Sequence, residues 1–323
     1  MTDYTAARAH CALFDLSSRG KIELAGNDAA VFLHNLSTND VKGLAPGTGC
    51  EAFFCTATAK VVAHGHIWRC PPVGKRETLW LDLDEGLAAK TYQHLDRYLI
   101  SEDVTLSDRT ADLAQLHVAG PAVLEVLRGA GIEAPAWQRN TFHVAWPLTL
   151  RFTDPLGLPG CDLLVPADHR ESIMDKLSAA GAVRGSPEAF DVLRVEAGTP
   201  VYGKDMDETT FAAEAGRTLQ AISYTKGCYL GQEPIVMARD RGVVQRGLVG
   251  VLLGAEPVPP GSLLYRDGKE VGRTTSCVIS PKLGQAVALA CARRGSQAPG
   301  TVLEADVAGV RRNVTVTKLP FVE

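Results

Sequence analysis

One pattern constrains the fold of this chain most strongly, because it occurs twice: an alternating apolar strand, the dipeptide Ala-Gly, and then a helix. The first copy is "KIELAGNDAAVFLHNL" (21–36), with its turn at Gly26, and the second is "QLHVAGPAVLEVLRGAG" (115–131), with its turn at Gly120. In the second copy Pro121 stands at the first helical position, where a missing N–H is tolerated. The repetition predicts two related α+β units, and chance similarity between two strand-to-helix turns is the alternative.

The remaining segments continue this α+β pattern up to about residue 242 and then change character. The spacing of apolar residues predicts helices in "DEGLAAKTYQHLDRYLI" (84–100) and "SPEAFDVLRVEAG" (186–198), and it predicts strands in "EAFFCTATAKVVAHGHIWRC" (51–70). Beyond this part, short strands follow one another, with a hairpin signal at Asp267-Gly268. This pattern of short strands joined by tight turns predicts a small β-barrel or sandwich.

We therefore expect an α+β protein with three parts. A first α+β unit covers 1–110, a second covers 111–242, and a C-terminal β-barrel covers 243–323. The length of 323 residues is sufficient for more than one domain and for a core that needs no disulfides.

Charge and cysteine content exclude several classes of protein. A net charge of −4 and a pI near 6.1 provide no broad basic surface for direct binding of nucleic acid. No stretch reaches the ~18 consecutive apolar residues of a membrane helix, and the first residues do not have the pattern of a targeting leader. The eight cysteines contain no C-x-x-C pair. We expect a cytosolic protein with free thiols and without membrane or direct nucleic-acid partners.

The stretch "TKGCYLGQE" (225–233) is the first candidate for a reactive centre. A thiolate at Cys228 would be stabilised by a neighbouring lysine or by the N–H groups of a helix that begins after it. Lys226 stands two residues before the thiol, and Gly231 permits close approach of another group. The alternative is a small buried cysteine in a strand-to-helix turn, and local composition alone favours this alternative.

The second candidate is the charged segment "LRVEAGTPVYGKDMDE" (193–208). Glu196 follows apolar residues and should lie at the buried edge of its helix, where an unpaired carboxylate is costly. A ligand with adjacent N–H donors, such as an aminopyrimidine ring, would satisfy both oxygens. The alternative is an internal pair with Arg194 or a bond to the backbone, and physical chemistry alone favours it.

A third candidate is "VVAHGHIW" (61–68), which puts His64 and His66 on the same face of a strand. Two histidines without a nearby cysteine or carboxylate in the sequence are a weak signal for a metal. We expect no metal site, and we interpret both residues as polar groups on a strand face or in a cavity. The usual motifs of dinucleotide-binding, P-loop, esterase and zinc-protease sites do not occur in the sequence.

Together these stretches resemble one family. The chain is similar over nearly its whole length to the YgfZ-type folate-binding proteins, which are relatives of the aminomethyltransferase (T-protein) of the glycine cleavage system. The resemblance is carried by "LFDLSSRGKIELAGNDAAVFLHNLSTNDVKGLAPGTG" (13–49), by segment 193–208 and by "KGCYLGQE" (226–233). T-proteins lack the cysteine of the last motif, so the resemblance favours a functional Cys228.

The resemblance implies a ring of two related ferredoxin-like α+β units and a β-barrel around a central channel for tetrahydrofolate. It implies that Glu196 grips the pterin ring, with Arg194 and Tyr202 as further folate-binding residues. It also implies that Cys228, activated by Lys226, acts beside the folate. The other motif residues expected at the site are Gly227, Tyr229, Gly231, Gln232, Glu233 and Arg241.

The function that this resemblance implies is that of an accessory protein for the assembly or repair of iron–sulfur enzymes, including some that modify tRNA. Members of this branch are not known as enzymes with simple turnover. The expected partners are folate and iron–sulfur client proteins, and the expected state is a monomer.

Two positions depart from the family pattern. T-proteins carry an aspartate on the strand that matches 61–68, where it assists attack of the folate amine on the aminomethyl donor. Here Ala63 and His64 occupy that region, and Met237 stands where family members often have an arginine. Two other functions follow as alternatives. One is a tetrahydrofolate-dependent aminomethyl- or methyltransferase that uses His64 in place of the acid, and the other is a scaffold without folate whose barrel binds a partner protein.

Overall fold

The structure is a computed structural model that describes residues 2–71, 76–145, 148–242 and 244–322. Within these ranges, no helix is both long and apolar enough to cross a membrane. The α-helices are α1 (Asp3–Ala9), α2 (Ala29–Leu36), α3 (Ala88–Asp96), α4 (Val123–Gly129), α5 (Arg170–Ala179), α6 (Pro187–Glu196), α7 (Thr218–Ala221) and α8 (Gln232–Asp240). The strands are β1 (Ala12–Asp15), β2 (Gly20–Gly26), β3 (Thr48–Cys55), β4 (Val61–Arg69), β5 (Glu77–Leu83), β6 (Thr105–Asp108), β7 (Leu113–Ala119), β8 (Phe142–Ala145), β9 (Leu148–Thr153), β10 (Gly160–Pro166), β11 (Val183–Arg184), β12 (Arg246–Gly254), β13 (Leu263–Arg266), β14 (Lys269–Ser280), β15 (Gln285–Arg293), β16 (Val302–Val307) and β17 (Val310–Thr317).

The chain forms two compact units whose segments alternate along the sequence. The first unit consists of Met1–Asp154, Leu158–Pro187 and Leu219–Gln232, and the second consists of Pro155–Gly157, Glu188–Thr218 and Glu233–Glu323. The predicted α+β class with a C-terminal barrel is confirmed. The boundaries predicted at residues 110 and 242 stay predictions.

The first unit contains two mainly antiparallel sheets. The described strands of one sheet follow the order β3-β4-β5-β2-β6, and those of the other follow the order β11-β1-β7-β10-β9-β8. Helices α2 and α3 pack against the first sheet, and α5 packs against β1 and β7 of the second. Alternate side chains of the second sheet form an apolar core with α4 and α5, which includes Leu116, Val118, Leu150, Phe152 and Leu163.

Both copies of the strand–Ala-Gly–helix pattern occur in this unit, and each depends on its glycine. β2 ends at Gly26 shortly before α2, and β7 ends immediately before Gly120, which precedes α4. A Cβ at Gly26 would overlap the carbonyl oxygen of Asp103, and one at Gly120 would overlap that of His10. At both turns another chain segment therefore comes so close to the backbone that only glycine fits.

Charged side chains lie between the two sheets of the first unit. Arg19 donates to Asp82 at 2.7 Å and to Asp84 at 2.8 Å. Gln115, on β7 of the other sheet, donates to the second oxygen of Asp82 at 3.0 Å. Burial would raise the pKa of Asp82, but the charges of Arg19 and Arg151 hold it below its usual value. One buried carboxylate thus connects the two sheets.

Arg151 on β9 is a fully buried charge in the same layer. Its guanidinium carbon lies 5.7 Å from the centroids of three aromatic rings, those of Trp68, Trp80 and Phe142. Among the described residues, none provides a hydrogen-bond partner for its guanidinium nitrogens. Burial lowers the pKa of Arg151, and the charge of Asp82 opposes this effect. The charge is therefore stabilised by ring faces and by carboxylates at longer range.

The second unit contains a closed barrel in which the described strands follow the order β12-β15-β14-β13-β16-β17. The sequence pattern allowed a barrel or a sandwich, and the pairing of β12 with β17 closes a barrel. Strand β15 is buried on both faces. Val287 and Leu289 pack against Val195 of α6, whereas its other face fills the barrel interior with Ala286, Ala288, Ala290 and Ala292.

Replacing Arg151 with methionine should keep or raise the free energy of unfolding, because the variant removes a buried ion to which the described residues offer no hydrogen-bond acceptor. Replacing Arg19 with methionine should lower the free energy of unfolding by about 3 kcal/mol, because Asp82 and Asp84 would stay buried without their cation. Urea unfolding followed by circular dichroism measures both values. A greater loss of unfolding free energy for Arg151→Met than for Arg19→Met would contradict this account of the charges between the two sheets.

Candidate functional site

The stretch "TKGCYLGQE" forms a loop between α7 and α8, and the loop is bound to the end of α2. The hydroxyl group of Thr38 donates to the carbonyl oxygen of Ala221 at 2.6 Å, and the N–H of Ser223 donates to the carbonyl oxygen of Thr38 at 2.9 Å. Further along the loop, the N–H of Leu230 donates to the carbonyl oxygen of Asn35 at 2.9 Å. The loop is therefore fixed on both sides of its cysteine.

Lys226 is buried, and its ammonium group lies at the C-terminal end of α2. Its Nζ also lies 4.6 Å from the centroid of the Tyr229 ring. Burial lowers the pKa of Lys226 to about 8, and the charge of Asp40 opposes this effect. Carbonyl groups at a helix C-terminus lack partners within the helix and favour a cation. Nζ donates to two such oxygens, those of His34 and Ser37 (2.6 Å), and to the carbonyl oxygen of Asn39 beyond the helix (2.9 Å).

Cys228 is exposed, whereas the other cysteines of the chain are buried or half-buried. Gly227 beside it is also exposed. Gly231 has a positive φ of 83°, and a Cβ there would lie 2.6 Å from the carbonyl oxygen of Thr56, so the loop passes close to another segment. The prediction of a buried structural cysteine is therefore wrong. The predicted thiolate and its activation by Lys226 stay predictions.

The rest of the motif begins α8. The N–H of Gln232 donates to the carbonyl oxygen of Tyr229 at 3.1 Å, and Gln232 and Glu233 form the first turn of the helix. Tyr229 is buried, and Glu233 is exposed. Arg241 follows α8 and is exposed. The functions expected for these residues stay predictions.

Glu196 is the last residue of α6 and is fully buried, as its position in the sequence predicted. Its Oε1 accepts a hydrogen bond from the hydroxyl group of Ser280 on β14 at 2.5 Å. Tyr202, in the segment that follows α6, is half-buried and pairs with Met206. Both side chains belong to the second unit, and their predicted contacts with folate stay predictions.

Arg194 connects α6 with the segment that follows it and with β14. Its Nε donates to Asp191 at 2.8 Å, its Nη1 to Asp205 at 2.5 Å and its Nη2 to Ser276 at 2.7 Å. Burial would raise the pKa of Asp191, but the charge of Arg194 and a hydrogen bond from Lys204 lower it. Each guanidinium nitrogen thus has a partner within the second unit, and a contact between Arg194 and folate stays a prediction.

A carboxylate that the sequence analysis did not single out lies against His64. The Nε2 of His64 on β4 is 2.7 Å from the Oε1 of Glu51 on β3, and 9% and 3% of these side chains are exposed. The ring of Phe53 packs against the imidazole, with 4.8 Å between the ring centroids. A carboxylate bound at Nε2 fixes the orientation of the imidazole and favours the tautomer that carries its proton on Nε2.

His66 also has carboxylate neighbours that its own segment does not reveal. It pairs with Glu51 across β3 and β4 and with Asp82 across β4 and β5. Burial lowers the pKa of His66, and the charges of both carboxylates oppose this effect. In the described part of the chain, no group of three His, Cys, Asp or Glu side chains could hold a metal ion. Knowledge of the strand register would have identified Glu51.

Comparisons with known proteins find family models that match segments of both units. The chain matches the family model of the GCVT N-terminal domain over residues 1–221 and that of the glycine cleavage T-protein C-terminal barrel domain over residues 246–323. It is 29% identical to an aminomethyltransferase of Deinococcus deserti, with 99% of this chain and 87% of that protein covered. It is also 29% identical to a putative chloroplastic transferase of Arabidopsis thaliana, with 81% of this chain and 60% of that protein covered.

A solved structure has the same fold. The crystal structure of glycine cleavage system aminomethyltransferase T from Bartonella henselae matches with a TM-score of 0.92 at 22% identity, with 99% of this chain and 89% of that chain covered. At this identity the match shows a shared fold, whereas the family models and the names of the relatives favour the folate-dependent transferase over the iron–sulfur accessory role.

Replacing Lys226 with methionine should destabilise the protein, and the loss should grow as the pH rises from about 8 to about 10.5. The pKa of Lys226 is about 8 in the folded protein, against 10.5 for an ordinary lysine. Between these values the unfolded wild type binds a proton that the folded wild type lacks, so a rising pH favours folding of the wild type. Urea unfolding across this pH range measures the difference between the two proteins.

Lys42→Met is the matched control, because Lys42 is exposed and its charge, like that of Lys226, lowers the pKa of His34. It removes an exposed charge and serves as the reference for the effect of losing a lysine. A pH-independent difference for Lys226→Met would contradict the titration assigned to Lys226.

Proposed function

Because the chain belongs to the glycine cleavage T-protein family, we propose that it binds tetrahydrofolate and transfers a one-carbon group, aminomethyl or methyl, to or from it. The family models cover 1–221 and 246–323, and the relative from Deinococcus deserti is named an aminomethyltransferase. The observation that carries the proposal is the hydrogen bond between His64 and Glu51. His64 can transfer a proton, and it lies on the strand where T-proteins, by the resemblance, have an aspartate.

The chemistry of Glu196 supports a pterin ligand. A carboxylate offers about four acceptor sites and can accept from several donors at once, as Oε1 of Glu196 does from the hydroxyl group of Ser280. The neighbouring ring N–H and amino N–H groups of a pterin are donors that a carboxylate accepts side by side. In this proposal Glu196 orients the pterin.

In the proposed reaction His64 moves the proton. Tetrahydrofolate supplies, when bound, the amine nitrogen that bonds to the one-carbon group. His64 accepts the proton of that amine at Nδ1, because its Nε2 is held by Glu51. Glu51 stabilises the resulting imidazolium, because a carboxylate 2.7 Å away favours the positive charge. The bond between the one-carbon group and its donor atom breaks as the bond to the folate nitrogen forms, and the proton passes from Nδ1 to that donor atom as it leaves.

Tetrahydrofolate at a hundred times its dissociation constant should raise the free energy of unfolding by about 2.7 kcal/mol. Glu196→Gln should weaken binding by about 10- to 100-fold, because a hydrogen bond to a charged group contributes about 1.5–3 kcal/mol. Thermal unfolding and titration calorimetry with tetrahydrofolate measure both effects.

The matched control for this measurement is Glu188→Gln, since Glu188 is exposed on the first turn of the same helix. It should bind tetrahydrofolate as the wild type does. A wild type that tetrahydrofolate does not stabilise would support the scaffold without folate instead.

The exposure of Cys228 favours a second candidate function. In this candidate the chain is a YgfZ-type accessory protein that supports the assembly or repair of iron–sulfur enzymes, including enzymes that modify tRNA. An exposed thiol is accessible to a client protein, whereas the other cysteines are buried or half-buried. One cysteine is too few for a stable cluster site, so Cys228 acts in this candidate on a sulfur atom or a cluster fragment in transit.

Turnover of an aminomethyl or methyl donor with tetrahydrofolate separates the two candidates. His64→Asn should lower kcat by about 100-fold or more, because the variant removes a general acid–base group. The control His169→Asn changes an exposed histidine and should be as active as the wild type. If Cys228→Ser abolishes function while His64→Asn has no effect, the accessory role is supported and the transferase is not.

A further inference from the structure

Residues 37–39 run along the edge of the first sheet, beside β3, and connect it to α2. The N–H of Thr38 donates to the carbonyl oxygen of Phe53 at 3.0 Å, and the N–H of Phe53 donates to the hydroxyl oxygen of Thr38 at 2.9 Å. Ser37 forms an antiparallel bridge with Phe54. In the described strand order β3 is an end strand, so this segment pairs with a backbone edge that would otherwise be open.

Asn39 connects this edge to the loop that carries the cysteine. Its Nδ2 donates to the carbonyl oxygen of Glu51 at 2.8 Å and to that of Gln220 at 2.8 Å. Its own carbonyl oxygen accepts from Nζ of Lys226 at 2.9 Å. A single residue thus contacts both the lysine of the KGC motif and the strand residue that bears the carboxylate.

A continuous series of hydrogen bonds therefore leads from the loop to the histidine. Lys226 binds the carbonyl group of Asn39, Asn39 binds the backbone of Glu51, and Glu51 binds Nε2 of His64. The side chains at both ends and that of Glu51 are buried. The bond between Glu51 and His64 is buried and the two bonds of Asn39 are half-buried, so breaking any of them is costly and a change at one link disturbs the next.

We propose that Lys226 and Asn39 are positioning residues for His64 and act on it through Glu51. The proposal rests on the proposed function, in which His64 transfers the proton. Lys226 fixes Asn39, Asn39 fixes the backbone of Glu51, and Glu51 holds the imidazole so that Nδ1 is available. The geometry matters because a general base must come within ~2.6–3.2 Å of the proton that it takes.

This role of Lys226 differs from the activation of Cys228 and from a purely structural role at α2. A lysine that only stabilises the end of α2 would change the free energy of unfolding and leave His64 as it is. A positioning lysine changes the state of His64, and its effect depends on Glu51. Both differences can be measured.

A double-mutant cycle of Lys226→Met and Glu51→Gln tests the dependence on Glu51. With kcat/KM of one-carbon transfer as the readout, we expect losses of about 10-fold for Lys226→Met and about 10- to 100-fold for Glu51→Gln. The double variant should be no less active than Glu51→Gln alone, because Glu51→Gln already breaks the hydrogen bonds through which Lys226 acts on His64. Losses that multiply in the double variant would overturn the proposal.

Nitrogen NMR of the His64 imidazole provides a readout that needs no activity. In the wild type the neutral ring should carry its proton on Nε2, facing Glu51. Lys226→Met and Asn39→Asp should both raise the fraction with the proton on Nδ1, whereas the exposed control Lys42→Met should not. Asn39→Asp removes the amide donor at nearly constant size and replaces Lys226→Met if that variant does not fold.

The two readouts separate this inference from the proposed function. An unchanged tautomer in both test variants overturns the positioning role even when one-carbon transfer is measured. A shifted tautomer in a protein without one-carbon transfer supports the positioning of His64 and rejects the transferase.

Discussion

The ammonium group of Lys226 is the interaction on which the candidate site depends. It binds carbonyl oxygens where α2 ends and where residues 37–39 join β3. Without a cation these acceptors would face one another in a buried space, and each unsatisfied group would cost about 1–3 kcal/mol. The end of α2, the loop with Cys228 and the backbone of Glu51 are therefore arranged around one charge. These hydrogen bonds offset part of the cost of burial, which disfavours the charged form of the lysine.

The proposed transferase and the accessory role use groups in contrasting environments. Glu51 and His64 form a buried, hydrogen-bonded pair, which suits repeated transfer of a proton in a fixed direction. Cys228 is exposed on a loop between two helices, which suits contact with another macromolecule. The comparisons support the first function more strongly, and the hydrogen bonds that begin at Lys226 connect its loop to the first pair. The KGC motif is therefore relevant to both candidates.

The sequence could predict what is encoded locally. The two strand–Ala-Gly–helix turns were predictable because Gly26 and Gly120 mark backbone contacts that no other residue permits. Glu196 was predictably buried because apolar residues precede it. The partners of His64 and Lys226 were not predictable, because they depend on strand register and on contacts between segments far apart, such as the 187 positions between Asn39 and Lys226. For the same reason the alternation in β15 could not distinguish a barrel from a sandwich.

The alanine face of β15 determines what the barrel can contain. The diameter of a barrel is set by the number and tilt of its strands, and here the alanines of β15 fill the interior together with apolar side chains of the other strands. The interior of such a barrel leaves no room for a ligand. Any molecule that the barrel recognises must therefore bind on its outer surface or at its ends. Substitutions that change what this domain binds are therefore expected in its loops and at its outward-facing positions, where side chains can change size without disturbing the packed interior.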